Sequence, residues 1–297
     1  MIETLVRVVE AFISALMVAG LYATMSYGLA LIYGVMKIIN LANAGIMMLA
    51  AFTTLVLWQT TGLDPLVLVV VVAPLFFVVG AVLEVVVVRR VSAAAPIVSL
   101  LLLFGTWLVM QAFANLIFGG DVRGVRPAYI DSVVHVGDVT LAYNRIFVFV
   151  AGAVILVLLE LFLRGTFLGR AIRALAQDRE ACALVGVDTK RVSMVAFGLG
   201  SALAGAAGCL LTLVFPFDPT NPFGVLQLKS FTIIVLGGLE SIIGVAFASF
   251  LLALAENLTV TLSRPQLENL VSFVVLVVVL VVMPGGLAAL LRRRRLA

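Results

Sequence analysis

Charge is what this sequence has least of: among 297 residues only 19 are Lys or Arg and 15 are Asp or Glu, 11% in all. A soluble domain has roughly a quarter of its residues charged and about half apolar. Here 64% are hydrophobic, and the mean hydropathy is +1.26. Those proportions exclude a soluble enzyme and a disordered chain. Only two cysteines occur, Cys182 and Cys209, neither with a neighbour at ligand or redox spacing, which excludes a disulfide scaffold. A single histidine, His135, excludes a metal site built from imidazoles. The formal net charge of +4 does not point to nucleic acid, because the basic residues gather in a few loops and at the tail, as membrane topology requires.

What the chain does have is a series of apolar stretches, each of about 20 residues and long enough to cross about 30 Å of hydrocarbon as a helix. Runs such as 66–88 and 271–282 are unbroken, whereas strands of a membrane barrel alternate. The fold class is therefore all-α: a polytopic helical membrane protein, read as a single transmembrane domain over 1–297. Glu3, Arg7 and Glu10 precede the first apolar stretch without a small-residue cleavage site, so the N-terminus reads as a retained helix. Hydropathy and breaks at charged or Gly/Pro-rich positions place eight segments, at 11–33, 38–58, 66–88, 98–118, 147–162, 194–214, 228–255 and 271–291.

Three dense basic groups, Arg89 with Arg90, residues 164–191, and Arg292 to Arg295, are expected on the cytoplasmic side. Residues 119–146 balance Arg123, Arg126 and Arg145 against Asp121, Asp131 and Asp138, as suits an exterior loop of turns and short strands, and 215–227 is expected outside as well. Eight full crossings would leave the four-arginine tail on the wrong side. The conflict disappears if 228–255 is re-entrant, and Gly237, Gly238, Glu240 and Ser241 mark a break in the right place. Irregular backbone at membrane depth is tolerated only inside protein or beside water, so the break is a pathway candidate. An ordinary helix with a glycine kink is the other reading of this stretch.

Residues 164–191 contain six basic and three acidic residues, about a quarter of all charges. Read as one helix from Gly169, they place Arg170, Arg173, Gln177 and Glu180 on one face and Ile172, Leu175, Ala176, Cys182 and Ala183 opposite, with Gly186 as the stop. Such an amphipathic helix is either a docking element or a loop lying at the headgroups.

The string GRAIRALAQDREACALVGVD at 169–188, followed by FGLGSALAGAAG at 197–208, resembles permeases of branched-chain amino-acid ABC importers of the LivH/LivM type. GLALIYGVMKIINLA at 28–42 and LKSFTIIVLGGLESIIG at 228–244 agree in order and spacing, so the resemblance covers nearly the whole chain. It implies a membrane subunit paired with a second permease, homologous or identical, two cytoplasmic ATPase subunits and an extracytoplasmic solute-binding protein. It also implies that 169–188 carries the coupling helix, with Gly169, Arg170, Arg173, Gln177, Asp178, Glu180, Ala181 and Gly186 as candidate ATPase contacts. No phosphate-binding Gly-x-x-x-x-Gly-Lys-Ser/Thr motif occurs, so ATP and magnesium are expected on the partner ATPase and no cofactor on this chain. Where the family usually continues with His-Gly, this chain has Asn43, Ala44 and Gly45. Branched-chain amino acids, urea, short amides and aromatic acids all remain open as solutes.

The candidate translocation path comprises Asn40, Asn43, Gly237, Gly238, Glu240 and Ser241. A self-sufficient secondary transporter or channel is the alternative, and it needs ion-coupling acids within the membrane, a need that Glu240 alone fits. Gln111 and Asn115 are either path-lining or polar glue between helices, and Gly205 and Gly208 read as a close-packing surface. Glu84 and Glu160 read as interface charges that pair with the basic clusters. No clustered acids, metal ligands or nucleophile with a base suggest an enzyme. The expected location is the inner or plasma membrane, multi-pass, with the C-terminus cytoplasmic.

Overall fold

The computed structural model describes residues 2–91, 96–130, 132–136, 139–238, 241–262 and 265–282. Helix α1 (Ile2–Met36) is followed by α2 (Asn43–Thr61) and by α3 (Pro65–Leu83), which runs through a π turn (Glu84–Val88) into the short α4 (Arg89–Val91). After α5 (Pro96–Phe118) a two-stranded hairpin, β1 (Val133–Val136) and β2 (Val139–Ala142), leads into α6 (Tyr143–Gly165). The hairpin is antiparallel, pairing Val133 with Ala142 and Val136 with Val139. Then come α7 (Phe167–Gln177), α8 (Arg179–Leu184), α9 (Thr189–Leu211), α10 (Phe223–Gly237), α11 (Ile242–Leu262), a 3-10 turn (Pro265–Leu267) and α12 (Glu268–Val282). Among the described residues seven helices are long and apolar enough to cross a membrane, and α10 and α12 are shorter apolar helices.

The bundle is built around α9, which packs against α3, α1 and α2. Apolar area cannot drive this packing where the surroundings are lipid, so backbones must approach closely enough for dispersion to hold them. Small residues along α9 permit that. A Cβ on Gly200 would stand 2.7 Å from the Gly28 carbonyl oxygen and 2.5 Å from Ile32, and one on Gly28 would overlap the Gly200 carbonyl. Gly205 and Gly208 sit in the same way against Phe76 and the Met47 carbonyl, as the close-packing reading expects.

Helix starts follow side-chain caps. Asp64 accepts from Leu66 N–H at 2.8 Å, with Pro65 as the first helical residue of α3, and Asp188 accepts from Arg191 N–H at 3.0 Å at the start of α9. The Asp64 carboxylate also accepts from the Tyr129 hydroxyl at 3.0 Å. Burial, then this bond to a carboxylate, push the Tyr129 phenol well above its ordinary range.

At the bundle end that carries the β hairpin, 212–222 is tied down by main-chain bonds between Arg123 and Phe217, 2.8 Å in both directions. Asn144 Nδ2 donates to the Leu213 carbonyl at 2.7 Å. Phe217 is buried and stands edge-on to Phe52 at 5.2 Å. Asp218 caps the turn: although its slight burial opposes the charge, bonds from Thr220 and Asn221 hold its carboxyl below the usual range.

One expected segment is corrected and one expected break is found. The segment placed at 38–58 does not begin as helix. Lys37 closes the last turn of α1 on the Tyr33 carbonyl at 2.8 Å with φ 56, a left-handed backbone that cannot propagate the helix. Residues 37–42 therefore run irregularly, and helix resumes at Asn43. The break expected within 228–255 is present, because α10 ends at Gly237 and α11 starts at Ile242, and the single kinked helix is excluded. Gly238, at φ 94, turns the chain, and Ser241 caps α11 by accepting from Gly244 N–H at 3.0 Å. A Cβ on Gly237 would lie 2.5 Å from the Gly244 carbonyl carbon, so the two helices meet at bare backbone. Glu240, Asp131, Asp138 and Arg292 to Arg295 lie outside the described residues.

Replacing Gly200 by Val should cost about 1–3 kcal/mol through overpacking against Gly28 and Ile32. Thermal unfolding of the purified protein in detergent should show a lowered midpoint, with Gly34→Val, which has open space beyond its Cα, nearly silent.

Candidate polar constriction and buried charge cluster

The irregular 37–42 segment buries Asn40, and Asn43 opens α2 just beyond it; both are 0% exposed. Asn40 Nδ2 and Oδ1 and Asn43 Nδ2 and Oδ1 have no hydrogen-bond partner. From α10, Gln227 donates its Nε2 to the Asn40 main-chain carbonyl at 3.1 Å, leaving its Oε1 buried and unpartnered. From α5, the Trp107 ring lies between Gly45 and Gly224, where added Cβ atoms would stand 3.2 and 3.4 Å from it, and its Nε1 is likewise unpartnered. Gly45 is two residues beyond Asn43 and Gly224 three before Gln227, so three helices and one broken connection converge here. Each buried polar group without a partner costs about 1–3 kcal/mol. Packing alone gives no reason to collect them.

Asn40 is therefore met by Gln227, while Gly237 is met by Gly244, ten residues or about 15 Å further along α10. Of the polar residues weighed beside them, Asn115 is exposed and Gln111 half-buried.

A second cluster joins α1, α10, α11 and α12. Lys229 Nζ donates to Glu256 Oε2 at 3.1 Å, to Glu268 Oε1 at 2.7 Å and to the Tyr22 hydroxyl at 2.8 Å. Tyr22 in turn donates to Glu256 Oε2 at 2.6 Å, and Ser272 donates to Glu256 Oε1. Lys229 is 3% exposed and Glu256 2%. Because Gly237 at the end of α10 meets Gly244 near the start of α11, while Lys229 further back along α10 meets Glu256 further on along α11, the two helices run antiparallel as a hairpin with its tip at the Gly237–Gly244 contact.

Sequence reading singled out Glu240 and passed over this cluster. The signal was present: Lys229 is the one charged residue of 223–239 and Glu256 borders the apolar stretch 228–255, and ionisable groups inside a membrane face each other or a cavity by default.

At the opposite bundle end, 169–186 forms two helices and not one. Asp178 takes an extended conformation (φ −151, ψ 108), ends α7 and caps α8 by accepting from Ala181 N–H at 2.9 Å. Glu180 therefore does not continue the face of Arg170, Arg173 and Gln177. All four are exposed, as are Asp178, Ala181 and Gly186. Gly169 is not: it is buried against the main chain of Phe162 and Leu163, where a side chain has no room. Ile172, Leu175 and Cys182 are buried beneath, and Gly186 (φ 81) ends α8 with paired bonds to Ala183 and from Val187 to Cys182. Leu184 and Val185, 89% and 79% exposed, were not singled out in the sequence. Glu84 pairs with Arg89 at 2.7 Å and Glu160 with Arg164, as expected of interface charges.

Lys229→Met should leave two carboxylates facing each other without a cation and cost about 3–5 kcal/mol. The double variant K229M/E256Q should recover part of that loss. Thermal unfolding in detergent checks it: equal midpoints for wild type and K229M would show that the cluster contributes nothing to stability.

The family model described as branched-chain amino acid transport system / permease component matches residues 11–280. The chain is 28% identical over 296 residues to the high-affinity branched-chain amino acid transport system permease protein BraD of Pseudomonas aeruginosa, covering 94% of each. It is 27% identical over 283 residues to LivH of Escherichia coli, covering 90% of each. Against LivM of Escherichia coli it is 35% identical over 112 residues, 36% of this chain and 26% of that one. No solved structure matches. With the match spanning nearly every described helix, the chain belongs to the branched-chain amino acid transport system permease family, as a multi-pass membrane permease.

Proposed function

We propose that this permease provides half of a translocation path for branched-chain amino acids or closely related small solutes in the inner membrane. A second permease completes the path, an extracytoplasmic binding protein delivers the solute, and two cytoplasmic ATPase subunits supply the energy with ATP and magnesium. The observation that carries this reading is the polar constriction at Asn40 and Asn43. In a chain whose relatives along nearly its full length are transport permeases, unpartnered amides beside irregular backbone are what a path requires and what a lipid-facing scaffold avoids. The α10–α11 hairpin, with Gly237, Gly238 and Ser241 at its tip, forms the adjoining wall.

A secondary transporter is the weaker reading. Both oxygens of Glu256 are engaged, by Lys229 and Tyr22 on one side and Ser272 on the other, so it is a bonded partner and not a free coupling acid.

For sidedness, the basic end with α7 and α8 lies in the cytoplasm and the β-hairpin end outside. The hairpin of α10 and α11 then returns to the outer side and α12 leads the C-terminus inward. Cysteines placed at exposed Thr220 and Gln266 should both react with an impermeant maleimide from outside, and one at Arg179 only after permeabilisation. Native Cys182 and Cys209 are buried and give little background. Labelling of Thr220 and Gln266 from opposite sides would exclude a re-entrant α10.

For coupling, α7 and α8 present Arg170, Arg173, Gln177, Asp178, Glu180 and Ala181 to the ATPase. Exchanging charges at both helices, Arg173→Glu with Glu180→Lys, should lower uptake of labelled leucine at least tenfold in cells carrying the whole importer while membrane insertion is kept. Normal uptake with the ATPase still co-purifying would move coupling elsewhere.

A further inference from the structure

The unpartnered atoms at the constriction are chemically balanced. Asn40 and Asn43 each offer an amide NH2 and an amide oxygen, Trp107 offers one N–H, and Gln227 offers one oxygen. Donors are what a carboxylate needs and acceptors are what an ammonium group needs. The set carries no net charge, so a solute that is only an anion or only a cation would leave half of it unanswered. Amides are also complementary to one another, yet these do not pair off. Gln227 Nε2 is held by the Asn40 carbonyl, Asn40 sits on backbone that follows the left-handed Lys37, and the indole is wedged between two glycines. With every one of these atoms buried, the arrangement is closed.

We propose that Asn40, Asn43, Trp107 and Gln227 form a closed constriction within this one chain that opens to, and selects for, the ammonium–carboxylate head of a zwitterionic solute, and not its side chain. The inference rests on the reading of the chain as an amino-acid permease and adds what it recognises. The solute's carboxylate takes the indole and amide N–H groups, and its ammonium takes the amide oxygens. Parting α10 from the 37–42 segment, where the Gln227 bond joins them, makes room for the head. The aliphatic body is left to the apolar surroundings, which discriminate little between one methylene and the next. Recognition of this kind is complete in one subunit, because the unpartnered polar atoms of all four residues are buried within this chain.

The test uses the full importer, with its partner permease, ATPases and binding protein, and compares initial uptake of labelled leucine, valine and alanine at saturating solute. Trp107→Phe keeps an aromatic ring and deletes the N–H donor with the pyrrole part of the indole, and Gln227→Met keeps the length and deletes the amide; co-purification of the ATPase reports that each variant is assembled. Each variant should lower uptake of all three amino acids about tenfold and by a common factor. Factors that differ between leucine and alanine mean that the site reads side chains and overturn the proposal, as does unchanged uptake in both variants. If the wild-type importer instead carries urea or a short amide and no amino acid, the parent reading fails along with the proposal. Amino-acid uptake by the wild type with unaffected variants leaves that reading standing and removes only the head-group site.

Discussion

In hydrocarbon a peptide group that leaves its helix finds no water, so every interruption of a spanning helix must be covered by protein or opened to a cavity. The rest of this structure is organised around that requirement. Among the described residues two interruptions stand out, at 37–42 and after Gly237, and α10 borders both. The first is closed over by α2, α5 and α10, and the second by the backbone contact of Gly237 with Gly244. Covering them requires a scaffold with very short interhelical distances, and α9 supplies it through the glycines and alanines that let α1, α2 and α3 approach.

The same economy of lipid-phase interactions explains why charge appears inside at all. Short α10 has too few residues to hold its place by spanning, and Lys229 fastens it to three other helices at once through Glu256, Glu268 and Tyr22. Such a fastening is directional in a way that dispersion is not. It fixes both the position of α10 along α11 and its rotation. Gln227, two residues before Lys229, is thereby held against Asn40. The charge cluster and the polar constriction are consecutive features of one helix.

Much of this was legible in the sequence, for reasons specific to membranes. Long uncharged runs marked the spans, and the basic groups together with the glycine pair marked the break in 228–255 that the structure places between α10 and α11. The caps Asp178 and Asp188 and the stop at Gly186 are also visible in one dimension, although 169–186 reads as one helix through Asp178, whose side chain in fact caps the start of the second. What could not be read were pairings across more than 20 residues. Lys229 and Glu256 are 27 apart, Tyr22 and Glu256 are 234 apart, and Gln227 and Asn40 are 187 apart. Hydropathy treats each as a blemish in an apolar run, since averaging discards the single residue that matters. Trp107 was missed for a related reason: an indole in an apolar helix is unremarkable until its N–H is found buried without a partner.

The short length of α10 and its lysine also bear on how the chain is made. A lysine at the centre of a segment costs about 2.5–3.5 kcal/mol on entering the bilayer, and 15 residues contribute too little apolar length to offset it comfortably. Glu256 and Glu268, which neutralise it, leave the ribosome 27 and 39 residues later. During synthesis α10 is thus a segment awaiting its counter-charges, and its insertion is tied to that of α11 and α12 as one unit. The stretch from α10 to α12 is committed to the membrane together or not at all, and a truncation that removed α12 would strand a helix already made.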